Sequence, residues 1–522
     1  MIVRPEKSSL LVSRAGSYSH AEREHGFFCS GGVVMQRSLI TVVAAGCFFS
    51  AFPASSAGDA ERLVAAMLGD TPLVADLQAL TDEIGGRPTG SEANRRSVQW
   101  ALERFRDAGV EARAESFEMP GLWLERSARA RVGGDAEFSV RIAAMPFSTA
   151  TPEGGLRAAV VDGRHGLEAD FERLGSVAAG AFVLIETDEL EDIPGLFREY
   201  TEAAAIEERA FDAGVAGVVY MGSRPRDVLY RHNASLGLKN DRPMLVMERG
   251  SGQRVARLLR QGKELDLTVE IDLNIAGAYE SHNVVGEIKG HGEPEEFVVI
   301  GAHLDSWGLG TGALDNGCNV AVVIDLARQI KRLGIMPRRT IRFVLFNGEE
   351  QGLQGSWGYA KAHAEELDRH VMASSYDIGS GRISGFFTNG RVELVEFLDR
   401  ALRSVAGLGP FDNPNVPIVG TDNFDFMLEG IANLVANQES ANYGPNYHAG
   451  TDTFDKVDLT QLRLNAAISA AVTWAFAEED IDWQRHDRTA IQELIDTTDL
   501  GQQMRTFGFF DAWATGQRGR RD

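Results

Sequence analysis

Cysteine is scarce: the chain of 522 residues has 3, at positions 29, 47 and 318. That excludes a disulfide-stapled scaffold and the four-cysteine type of zinc site. Basic residues are also in deficit, with 52 Lys+Arg against 75 Asp+Glu and a net charge of −23. Such a surface repels phosphate backbones and anionic lipid, which argues against nucleic acid and membrane surfaces as partners. It tolerates divalent cations. No apolar run reaches the roughly 20 residues needed to cross a bilayer. There is no Gly-x-Ser-x-Gly elbow and no His-Glu-x-x-His helix, so the common serine-hydrolase and one-zinc protease signatures are missing. Gly308-x-Gly310-x-Gly312 lacks the spacing of a nucleotide loop and opens no helix; it reads as a close-packed loop. What remains is ordinary globular composition, 44% hydrophobic and 24% charged, long enough for about three domains at roughly 150 residues each.

The first 57 residues read as an export leader. Met35-Gln36-Arg37 opens a short basic segment, an apolar run follows from Leu39 to Phe52, and the small residues Ser55 and Ala57 suit cleavage before Gly58. Translation from Met35 is a second reading of the start. A membrane anchor, or a lipid on Cys47, is the competing interpretation, but apolar residues continue past Cys47. The expectation is a periplasmic or extracellular protein, free of the membrane after cleavage. Cys318 is then the one remaining thiol, with no internal disulfide.

Beyond the leader, residues 60–112 carry helical periodicity, including 91–108 with a Ser cap at Ser91 and a stop at Gly109. From 121 to 272 the texture shifts to short strands (158–162, 181–187, 217–221, 244–248) separated by helices, and we read an inserted α/β domain. The acidic stretch 186–192 fits a solvated loop. From 281 onward strands and helices alternate: strand 296–301, a helix over 319–333 that is apolar nearly all round, strand 342–346, helix 356–367 and strand 371–376. Helical and mixed segments follow to 477. This pattern predicts an α/β fold with a mixed, mainly parallel sheet flanked by helices. The domain boundaries expected are 58–120 with 273–480 for one domain, 121–272 for the insert, and a polar helical extension over 481–522 with a frayed end at 518–522.

Chemistry gathers at the strand ends. His303-x-Asp305 closes one strand, and either a metal ligand with its orienting acid or a surface pair would fit. Asp315-Asn316-Gly317 precedes the apolar helix, where a carboxylate can also be a cap. Glu349-Glu350 lies between glycines straight after a strand, a costly pair unless something positive sits there. Asp377 ends a third strand. Tyr447-His448, with Asp452 four residues on, sits in a Gly/Asn/Pro-rich loop. Singly each is weak. Together, two histidines and several acids at carboxyl ends fit two divalent ions about 3.5–4 Å apart sharing one carboxylate. The mixed donors favour zinc, with cobalt or manganese as alternatives. His363 and His370 read as solvated, Asn233-Ala234-Ser235 as a chance glycosylation sequon, and Cys318 as a small core residue.

In that order, His303-x-Asp305, Asp315-Asn316-Gly317, Glu349-Glu350, Asp377 and Tyr447-His448 resemble the co-catalytic zinc peptidases of family M28, with the carboxypeptidase Q-like branch as the nearer match. Ile84-Gly85-Gly86-Arg87-Pro88-Thr89-Gly90-Ser91, Asn283-Val284-Val285-Gly286, Gly420-Thr421-Asp422 and the stretch 448–457 support it. The resemblance spans about 60–476. It implies a zinc aminopeptidase-like fold with an inserted protease-associated-type domain. It also implies two zinc ions: His303 and Asp377 on one, Glu350 and His448 on the other, Asp315 between them. Asp305 would orient His303, and Glu349 would be the general base acting on a metal-bridging water. Tyr443 or Tyr447 is a candidate for an added hydrogen bond. Cys318 departs from the small residue usual there.

The resulting expectation is an exported exopeptidase acting on short peptides, as an aminopeptidase or dipeptidase. Carboxypeptidase action on acidic C-termini is the alternative within the class. A non-catalytic binding protein of peptidase fold, and a one-zinc acyltransferase of the glutaminyl cyclase kind, are the alternatives outside it. A homodimer is left open.

Overall fold

The structure, a computed structural model, describes residues 58–191 and 193–522. The leader assigned to 1–57 lies outside them. Among the described residues no helix is long and apolar enough to cross a membrane.

Two sheets organise the chain. The first has seven strands in the order Glu111–Met119, Tyr279–Ile288, Arg339–Phe346, Glu293–His303, His370–Ser375, Asn433–Gln438, Ile383–Phe387. Its central pairings, 339–346 with 293–303, 293–303 with 370–375, and 370–375 with 433–438, are parallel. The outer pairings are antiparallel. Parallel order is therefore confined to the middle, and that middle is buried. Every residue of Arg339–Phe346 is buried, as strands covered on both faces require. One covering helix is Cys318–Leu333, with Val320, Val323, Ile324 and Ala327 wholly inaccessible. Another is Leu459–Glu478, capped by the Asp458 carboxylate on the N–H groups of Thr460 and Gln461.

The second sheet has eight strands drawn from residues 122–276, with its own core around Trp123, Phe182, Leu184 and Leu245. The long strands Leu122–Gly134 and Leu265–Ala276 pair antiparallel along most of their length. The sequence reading had not resolved either strand, because their charged outward faces mask the alternation.

Three expectations change. The C-terminal segment does not fray. Arg518 is buried, with its Nε and a terminal nitrogen each 2.7 Å from a different oxygen of Asp425, and it also donates to the carbonyls of Gly352 and Leu353. An ion pair this deeply buried holds because every donor has an acceptor, and removing one partner typically costs about 3–5 kcal/mol. His363 and His370 are not solvated. The helix ends at Ala362 and a tight turn carries both rings inward. His363 bonds Glu115 at 2.9 Å and also contacts Glu366, while His370 meets the Tyr359 hydroxyl at 3.0 Å. Burial lowers the His370 pKa to about 3. The buried Arg342 of the adjacent strand, bonded to Glu366 and Glu287, explains the inward turn.

Candidate metal centre

Three neighbouring parallel strands deliver acids and a histidine to one edge of the first sheet, the end where open α/β sheets bind ligands. His303 is the last residue of Glu293–His303, Glu349 and Glu350 follow Arg339–Phe346, and Asp377 follows His370–Ser375. Asp315 comes from the turn Ala313–Gly317 and His448 from the loop after Tyr443–Asn446.

These side chains converge. Ligand atoms of His303, Asp315 and Asp377 lie within 4.8 Å of one another, as do those of Asp315, Glu350 and His448. His303 Nε2 is 3.1 Å from Asp315 Oδ1 and 2.9 Å from Asp377 Oδ1. His448 Nε2 is 2.7 Å from Glu350 Oε2 and 3.4 Å from Asp315 Oδ2. Asp315 belongs to both groups, and all five residues are buried.

The tautomer of His303 follows from its other nitrogen. Nδ1 lies 3.0 Å from the main-chain carbonyl of Asp305, which can only accept, so Nδ1 carries the proton. Nε2 then faces two carboxylates. The Asp305 carboxylate itself is 3.7 Å from Nδ1 and takes the Thr89 hydroxyl at 2.7 Å.

The electrostatics call for a cation. Asp315 Oδ2, Glu350 Oε1, Asp305 Oδ1, His448 Nδ1 and both Asp422 oxygens are buried without a hydrogen-bond partner among the described residues. Orphaned acceptors at this density are costly unless an ion satisfies them. Burial and then the Asp315 carboxylate push the Glu350 pKa well above the usual range, with His303 pulling the other way. Burial alone would lower His303, but Asp377 and its neighbours lift it far above 6.5. Burial brings His448 down to about 4, a neutral imidazole suited to a metal. The donor set therefore fits divalent cations.

Glu349 stands apart. Its carboxylate makes no hydrogen bond among the described residues, keeps a partly open face, and lines a cavity of about 460 Å³ with Glu350, Tyr447 and His448. Before any cation is counted, burial, followed by Asp377, Glu350 and Asp422, raises it well above an ordinary glutamate, against the pull of His303. The Tyr447 ring stacks on His448 with centroids 3.6 Å apart. Its hydroxyl is 3.0 Å from that of Tyr200, on the helix Ile193–Asp212. Tyr443 packs beside Tyr447.

Several supporting residues had no role in the sequence reading. Arg87 is wholly buried and gives its donors to the carbonyls of Leu304, Thr311 and Gly312. Burial lowers its pKa to about 10, so it stays charged beneath the acids. Asp452 accepts from the N–H groups of Ala313, Leu314 and Asp315 at 3.0, 2.6 and 3.2 Å, fixing the turn that presents Asp315. Asn316 donates to the Tyr376 carbonyl at 2.8 Å and so ties that turn to the strand end bearing Asp377. The glycine loop is tightly packed: a Cβ on Gly310 would lie 2.5 Å from the Ala449 carbonyl. His448 itself has φ +55°, a left-handed conformation uncommon outside glycine. Its carbonyl accepts from the Arg231 N–H, and Tyr230 bridges Ala449, so the second-sheet region braces this loop. Cys318 is buried, and burial pushes its thiol up, which makes it inert.

Residues 283–473 match peptidase family M28. The fold overlays a crystal structure from Shewanella amazonensis described as a peptidase M28 precursor, with TM-score 0.74 and 27% identity over 81% of this chain and 97% of that one. Residues 283–473 are a peptidase family M28 region. The protein is a metallopeptidase, and it is similar to mouse carboxypeptidase Q, 24% identical over 77% of this chain and 85% of the mouse protein. A zinc aminopeptidase from Bacillus subtilis shares the fold, with TM-score 0.61 and 22% identity over 79% of this chain and 96% of that one. All seven site residues of the sequence reading lie within the matched segment, and Arg87 and Arg518 lie outside it.

One buried acid near the cavity gives a measurable pH effect. Glu207, 1% exposed, accepts from the Ser235 N–H at 2.8 Å through one oxygen and leaves the other unpartnered. Burial lifts its pKa from 4.5 to about 7. The folded chain thus keeps a proton that the unfolded chain has lost, and stability falls as pH rises from about 4.5 to about 7, by at most about 3 kcal/mol. Glu207→Gln should raise the melting temperature at pH 8 and leave it unchanged at pH 4.5. An equal gain at both pH values would contradict this assignment.

Proposed function

We propose that the protein is an exported exopeptidase that hydrolyses short peptides with two zinc ions, acting as an aminopeptidase or dipeptidase. The observation that carries the reading is the pair of three-residue groups sharing Asp315, buried and rich in unpartnered acceptors. His303 and Asp377 would hold one ion, Glu350 and His448 the other, and Asp315 both. Divalent ions supply Lewis acidity at the scissile carbonyl and lower the pKa of an attacking water. Zinc suits the imidazole and carboxylate donors, and cobalt or manganese suit them nearly as well.

The protein's own groups do the rest. The Asp305 carbonyl holds His303 as the Nδ1–H tautomer, so that Nε2 points into the cluster. Arg87 offsets the summed negative charge. Glu349, in the cavity yet unbonded, takes the proton of the attacking water and returns it to the departing amine. Export rests on the leader pattern in residues 1–57. The domain division 58–120 with 273–480, 121–272 and 481–522 is part of this reading, with the inserted segment as a protease-associated-type domain.

The test is a panel of free and N-blocked dipeptides assayed with and without chelator. Hydrolysis of the free peptides, abolished by chelation and restored by zinc, is expected, with little turnover after N-blocking. Full activity on N-blocked peptides would favour the carboxypeptidase alternative, and chelator-resistant hydrolysis would refute the metal reading.

A further inference from the structure

The cavity that contains Glu349, Glu350 and His448 is walled by three stretches far apart in sequence: the loop 233–239, the segment 349–357 and the C-terminal turn 506–512. Its charge is lopsided. Beside the acids of the metal centre it is lined by two cations, Lys239 and Arg518. Arg518 is committed, bonded to both oxygens of Asp425 and to two carbonyls. The Lys239 ammonium makes no hydrogen bond or ion pair among the described residues. With the acids of the centre taken up by cations, Lys239 is the uncommitted cation among the described residues that line this space.

The loop that carries Lys239 is moored at both ends. The Asn233 amide donates to the carbonyl of Glu350 at 3.0 Å, and the Ser235 N–H reaches Glu207. Asn240 donates to the carbonyls of Phe147 and Arg242 at 3.1 and 2.8 Å. Lys239 therefore stands at a set remove from the Glu350 backbone. Between them Leu236 and Leu238, each 47% exposed, face the same cavity as Trp357, Phe507 and Phe509. A volume of about 460 Å³ suits a peptide of two or three residues, at roughly 3.5 Å of chain per residue.

We propose that Lys239 reads the free C-terminal carboxylate of such a peptide, with an apolar C-terminal side chain against Leu236, Leu238 and the Phe507–Phe509 wall. The proposal rests on the peptidase reading above and narrows its substrate to short peptides bearing both a free end and an apolar last residue. Lys239 is a specificity residue and takes no part in bond breaking. A charge-assisted hydrogen bond of this kind is worth roughly tenfold in kcat/KM.

The experiment compares Ala-Leu with its C-terminal amide, using the full-length zinc-loaded protein and its Lys239→Met, Lys239→Arg and Lys239→Glu variants. Native protein should prefer the free acid by roughly tenfold, chiefly through KM. The preference should collapse toward unity in Lys239→Met, persist in Lys239→Arg and reverse in Lys239→Glu. An acid-to-amide ratio that Lys239→Met leaves intact, or a native protein indifferent to amidation, would overturn the inference while the peptidase reading stands. Failure to cleave any peptide under any metal would overturn both.

Discussion

Replacing Glu349 with glutamine is expected to lower kcat by about 10²–10⁴-fold, the usual worth of a positioned acid–base group, while zinc content stays as in the native protein. The two halves of the expectation come from different parts of the geometry. Glu349 belongs to neither of the groups around Asp315, and its carboxylate makes no hydrogen bond among the described residues. Its neighbour Glu350 contacts His448 at 2.7 Å. Glutamine keeps the shape and removes the proton acceptor, so binding survives and turnover does not. The measurements are metal analysis of the purified variant and steady-state kinetics on a free dipeptide. Near-native turnover with full metal content would strip Glu349 of its role, and loss of metal would move it into the ligand set.

Asp315→Ala should produce the opposite pattern. This carboxylate is common to both groups, so both metal positions should empty, and kcat/KM should fall on the order of 10³-fold or more as Lewis-acid assistance is lost. Stability adds a second readout. Zinc bound to the native fold raises the melting temperature by mass action, and the variant should lose that rise. The metal-free variant should melt no lower than metal-free native protein, because one of several crowded anions has gone. A variant that still binds two equivalents of zinc, or that still gains in melting temperature with zinc, would show that Asp315 is not the shared group.

Three of the proposed ligands, His303, Glu350 and Asp377, stood out in the sequence because each is local: an acid or imidazole just after an apolar strand. The parallel middle of the first sheet was legible for the same reason, since strands buried on both faces are continuous apolar runs. The residues that shape the site were not. Arg87 acts through main-chain carbonyls more than 200 positions away, and no side-chain pattern marks a carbonyl as a partner. Asp452 looked like one more loop acid until its three successive N–H donors were seen. His363 and His370 looked exposed because a polar helix precedes them. The buried Arg342 that draws them inward sits in a strand whose other residues are mostly apolar. Asp422 lies buried beside the centre with neither oxygen bonded, a cost visible only in three dimensions.

The position of Arg518 has a consequence for biosynthesis. It grips the loop just after the paired glutamates across 166 positions of chain, and the turn ahead of it lines the substrate cavity. A nascent polypeptide that has already made every proposed metal ligand therefore still lacks one flank of its pocket. On the proposed reading, activity should appear only once translation has passed this arginine, and a single proteolytic clip upstream of it should silence hydrolysis without touching a proposed ligand.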